Sequence, residues 1–151
     1  MKIVVLVCLA ALIAAASASA ATPAAYRASV NGICRGYTPA GKKLEAQMTK
    51  AQASNDPVAY GVALGRLLLL NLEQDRRIEA MPVPPALKTQ MTPILTRLKS
   101  IDAHSRAALT AARAGNSKAM VTQLLTIGDL AKPLNRQLDA AGLRDCGSNQ
   151  S

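Results

Sequence analysis

The chain has 151 residues, with 18 Lys+Arg against 9 Asp+Glu, one His, three Cys, three Tyr and neither Phe nor Trp. That length holds one small domain and excludes a doubly wound nucleotide-binding domain or a β/α barrel. With so few aromatic rings, platforms for stacking bases or sugars are excluded as well.

Residues 1–20, MKIVVLVCLAALIAAASASA, read as a signal peptide: Lys2, an apolar run from Ile3 to Ala16, then Ala18 and Ala20 at the −3 and −1 positions of a cleavage site. The run is shorter than the roughly 20 apolar residues of a stable transmembrane helix, so no membrane span is expected in the mature protein. Cys8 follows Val7 where a lipid-attachment site requires a small residue, so lipidation is not expected. Residues 21–151 are then a single secreted domain, extracellular or in the cell envelope. Losing Lys2 leaves a net charge of +8 and only two thiols, Cys34 and Cys146. In an exported domain two thiols predict a structural disulfide, and no CxxC is present to suggest thiol exchange.

Four segments of the mature chain carry apolar residues at helical spacing, and none shows sustained alternation. The first runs from Thr22-Pro23, a cap and a first-turn proline, through Tyr26, Val30, Ile33, Tyr37, Leu44 and Met48 to about residue 53. Its phase continues through Pro39, which predicts one kinked helix, with a break at Thr38-Pro39, Thr38 capping a new start, as the alternative. The second opens at Asp56-Pro57 and ends before the proline-rich stretch Met81 to Pro85. Its Gly61 and Gly65 predict close approach of a neighbouring helix, and Leu67 to Leu70 are expected to be the most buried part of the molecule. The third carries Leu87, Met91, Ile94, Leu98, Ile101, Ser105 and Ala108 and ends at Gly115-Asn116. The fourth carries Met120, Leu124, Ile127, Leu134 and Leu138 and ends at Gly142-Leu143, a glycine cap followed by a hydrophobe. Pro93 and Pro133 lie inside these last two helices.

Long helices on short turns predict an all-α, up-down-up-down four-helix bundle with proline-kinked helices and one disulfide. In that topology the first helix starts where the fourth ends. The first is also longer, so the tail through Asp145 can fold back along it and bring Cys146 to Cys34. Closing so long a loop stabilises by about 5 kcal/mol in the chain-entropy model.

Catalytic constellations are scarce. His104 is the only histidine, no Glu-x-x-His occurs, and phosphate-binding glycine motifs are absent. No catalytic residue, metal or cofactor is therefore assigned, and the protein is not expected to be an enzyme. The densest polar stretch lies on the second helix, where the apolar stripe reaches Asn71 and then Gln74 or Asp75. Inward polar groups in a bundle mostly fix register. Asn71, Asp75 and Arg76 nevertheless form a candidate polar patch, and their convergence on an enclosed cavity would favour an alternative reading as a small-ligand or enzymatic bundle.

The first and third helices carry most of the positive charge and should be diagonal, so their basic surfaces face opposite ways. This argues against specific nucleic-acid binding and leaves attraction to anionic envelope polymers as the partner class. The primary expectation is a non-enzymatic binding or structural domain.

The chain also resembles the small secreted all-helical proteins of high-GC Gram-positive bacteria. The likeness rests on the signal peptide, Val30-Asn31-Gly32-Ile33-Cys34, the proline-rich break, Ala114-Gly115-Asn116 and the terminal Ala141-Gly142-Leu143-Arg144-Asp145-Cys146-Gly147. It implies export, a bundle and a disulfide, and brings no catalytic residue. The architecture is also similar to bundles of the cytochrome b562 type, which hold haem between a first-helix Met and a fourth-helix His. Here Met48 lies late in the first helix and the fourth has no His, so no haem is expected.

Overall fold

The computed structural model describes residues 22–147, and the signal-peptide reading and Cys8 lie outside the described residues. Four helices account for nearly all of them: α1 (Pro23–Ala53), α2 (Pro57–Glu79), α3 (Lys88–Arg113) and α4 (Ser117–Ala140), with a 3-10 turn at Pro85–Leu87 leading into α3. No strand occurs among the described residues, and the up-down arrangement agrees with the sequence. None of these helices is long and apolar enough to cross a membrane.

The ends of the helices follow from local chemistry. Thr22, Asp56 and Asn116 cap α1, α2 and α4 by accepting from the backbone N–H of Ala25, Ala59 and Ala119 at 3.2, 2.9 and 3.0 Å. Asn55 (φ 52°) ends α1 and Gly115 (φ 68°) ends α3, both in the left-handed region. In each case the next residue donates back into the finished helix, Asp56 to Ala51 O and Asn116 to Ala111 O, both at 2.9 Å, and that same residue caps the following helix. Two hairpins, α1–α2 and α3–α4, are thus closed by turns of one design. Each packs tightly along its length, while α2 meets α3 over a shorter stretch.

All three interior prolines are accommodated without a break in the helix. Thr38 and Thr92, each just ahead of a proline, donate their hydroxyls back to the carbonyls of Cys34 and Lys88 at 3.0 and 2.7 Å, a bond that favours bending. Pro39 and Pro93 are solvent-exposed, where water can take up the carbonyl each leaves unbonded.

The core is concentrated at one end. Tyr26, Val30 and Cys34 of α1 meet Ile78, Met91, Ile94 and Leu98, and are closed over by Leu134, Leu138, Leu143 and Cys146. Leu143 is fully buried because Gly142 (φ 77°) turns the chain so that Leu143 N–H donates to Leu138 O at 2.8 Å. The expectation for Leu67 to Leu70 is corrected here: only Leu68 is buried, and Leu69 is 51% exposed. Four consecutive leucines span more than one face, and near their level Gly65 of one hairpin faces Leu109 of the other. The glycine expectation changes as well. Gly65 faces Leu109 Cδ2 at 3.9 Å from an ideal Cβ position, an ordinary contact, and Gly61 faces open space.

Candidate functional site

At the closed end the tail is clasped to α1. Arg27 donates to Ala141 O at 2.7 Å, Asn31 Nδ2 to Gly142 O at 3.0 Å, and Asp145 N–H to Asn31 Oδ1 at 3.2 Å; Arg35 pairs with Asp145. These bonds carry Cys146 to Cys34, with sulfurs at disulfide distance and Cα atoms 5.1 Å apart. Gln74 of α2 turns its amide to Cys34 Sγ at 3.4 Å. The bridge is buried on both sides, which suits a staple rather than an exchange centre.

Asn71, Asp75 and Arg76 follow different paths. Asn71 is exposed and borders an open groove of about 110 Å³ between α1 and α2, with Tyr37, Lys42, Glu45 and Gln74. Sites for drug-sized ligands run from roughly 300 to 1,000 Å³, so this one is small. Arg76 is exposed and forked onto Glu73, with both nitrogen–oxygen distances at 2.9 Å. Arg77 adds a third bond at 3.1 Å and lays its guanidinium 5.4 Å from the Tyr37 ring centre. The hydrogen bonds from Arg76 and Arg77 hold the Glu73 carboxyl down at about 2.

Asp75 points inward and is only 7% exposed. Its neighbour is an acid, Asp102 of α3. Burial first, then the charge of Asp102 and a hydrogen bond shared with it, and the charge of Glu79 push the Asp75 carboxyl up to about 8. Asp75 therefore keeps its proton at neutral pH and donates it to Asp102. Asp102 is itself raised by burial, offset by that hydrogen bond and by Arg106, whose Nη2 lies 3.7 Å from Asp102 Oδ2. Glu79 Oε1, one turn beyond Asp75, is buried with no hydrogen-bond partner among the described residues.

Two carboxyls sharing one proton are the raw material of acid–base catalysis. Here neither lines the grooves that flank α1 and α2, and the pair joins α2 to α3 instead. Stepping along the stripe of α2 reaches Asn71, which the structure leaves exposed, and then Gln74 or Asp75, of which Asp75 is the buried one. Asp102 goes unnoticed as its partner, although it stands four residues after Leu98 and three before Ser105, both buried stripe positions. His104, the lone histidine, sets Nδ1 2.6 Å from Gln123 Oε1 and ties α3 to α4. Among the described residues no group of three or more His, Cys, Asp or Glu side chains is placed to hold a metal ion. Comparison of the chain with family models, curated proteins and solved structures finds no match.

Proposed function

We propose that the chain is an exported, disulfide-stapled helical domain that acts by binding or as a structural element at the cell envelope, and not by catalysis. The observation that carries this reading is the parting of the α2 polar groups: Asn71 borders a shallow groove, Arg76 is committed to Glu73, and Asp75 is sealed against Asp102. The groove that Asn71 borders is lined by neither Asp75 nor Arg76. Support for export comes from the leader pattern, the paired cysteines and the likeness to small secreted proteins of high-GC Gram-positive bacteria. The positive charge of the mature chain would hold it loosely to anionic envelope polymers.

The test is complementation. A secreted variant carrying Asn71→Ala and Arg76→Ala, checked for an unchanged melting temperature, should restore whatever a deletion strain loses. Failure of this well-folded variant would return the argument to a ligand or substrate held by the polar patch.

A further inference from the structure

The seam between α2 and α3 has two sides of opposite character. Across it Gly65 of α2 faces Leu109 of α3. On the core side stand the buried Leu68 and Leu72 of α2 and Ser105 and Ala108 of α3. On the solvent side, one turn to either side of Gly65, stand Val62 and Leu69, each 51% exposed, with Val58 beyond them at 75%; Val62 also borders the groove that α2 shares with Gln47 and Lys50 of α1. One turn to either side of Leu109 stand Arg106 and Arg113, with Lys99 a further two turns along, all exposed. Helical spacing places Val58, Val62 and Leu69 in one file of about 16 Å, and Lys99, Arg106 and Arg113 in another of about 21 Å.

The acids near these files are already engaged: Glu73 by Arg76 and Arg77, and Asp102 by Asp75 and Arg106, with only 13% of its side chain exposed. The seam therefore presents a narrow apolar line beside a row of cations in which Arg106 is paired with the partly buried Asp102 at 3.7 Å and Lys99 and Arg113 stand exposed. We infer that the outer α2–α3 seam is a docking surface for an acidic amphipathic helix of another protein, whose apolar stripe covers Val58, Val62 and Leu69 and whose carboxylates meet Lys99, Arg106 and Arg113. The seven-residue spacing of the cations matches two turns of such a helix. A membrane surface fits less well, because the line is one side chain wide and the chain has neither Phe nor Trp to anchor at a lipid interface. A second copy brings a like net charge.

This inference rests on the reading as a binding domain but fails separately from it, since its test leaves Asn71 and Arg76 untouched. The oxidised protein is used to select from displayed libraries of helices about four turns long, one with Glu or Asp at seven-residue spacing beside an apolar stripe, the other with Gln or Lys in those places. Binders should come from the acidic library alone. They should bind Leu69→Glu, and a variant combining Arg106→Glu with Arg113→Glu, at least about tenfold more weakly, as loss of an apolar anchor or of paired charge requires. A reversal on the exposed side of α4, Lys132→Glu, should cost far less. Amide shifts of the unmodified protein titrated with a selected peptide should fall in 58–69 and 99–113, which makes the result independent of how any variant folds. Equal yields from both libraries, indifference of the binders to the seam variants, or shifts confined to α1 and α4 would each overturn the proposal. So would phosphatidylglycerol vesicles that bind the protein, and lose it in the same variants, when the peptides do not.

Discussion

Asp75 inverts the usual response of a protein to pH. Its carboxyl titrates near 4 in the unfolded chain and near 8 in the folded one, so the native state holds a proton that the unfolded state releases in between. The stability contributed by the protonated pair is full below about pH 4 and is lost as pH rises towards 8, and the raised Asp102 acts in the same sense. The oxidised protein should therefore melt higher at pH 5 than at pH 9. In Asp75→Asn, whose amide can still donate to Asp102, most of that difference should vanish, and melting curves across this range decide it. An unchanged slope in the variant would place the titration elsewhere. The inward turn of Asp75 is only half legible in the sequence, where the stripe through Leu64 and Leu67 offers Asn71 and then Gln74 or Asp75, whereas the buried file is Leu68, Leu72 and Asp75. Its partner is not legible, because pairing across two helices depends on a register that spacing along one helix does not supply.

At the level of the helices, caps and breakers carry most of the information, and the sequence is easiest to read there. Thr22-Pro23, Asp56-Pro57 and Gly142-Leu143 mark their boundaries because each has one local task, satisfying the end of a helix. The glycines inside α2 are less legible, since the same GxxxG spacing serves close packing or nothing. The structure separates the cases. Gly61 meets open space at ordinary helical geometry, so Gly61→Ala should raise stability by about 1 kcal/mol. Gly142→Ala should lower it by a similar amount or more, because the position is left-handed and a Cβ would sit 3.2 Å from Arg27 Cδ, against the clasp of the tail. Denaturant midpoints of the two variants should shift in opposite directions.

For the whole molecule, the antiparallel topology and the cysteine pair support one another, as the sequence suggests. The uneven distribution of the core is not visible there, because four apolar stripes of similar strength say nothing about which end the tail will cover. It has a consequence for the disulfide. The staple secures the end that is already best packed, and the opposite end relies on two short turns and the hairpin contacts. Replacing Cys34 and Cys146 by Ser should lower stability by up to about 5 kcal/mol, the chain-entropy figure for so long a loop. Mass spectrometry of the native protein should find no alkylatable thiol. Two free thiols would remove both the bridge and the support it gives to the topology.

The bridge also determines how the domain carries a mechanical load. Tension applied across residues 22 and 147 enters along the first three turns of α1, crosses from Cys34 to Cys146 and leaves through the next residue. The 112-residue separation between the two cysteines lies outside that route, so α2, α3 and α4 bear none of the force. An oxidised domain tethered at both ends can lengthen only by unwinding those first turns of α1, whereas its reduced form can be drawn out to nearly its whole contour.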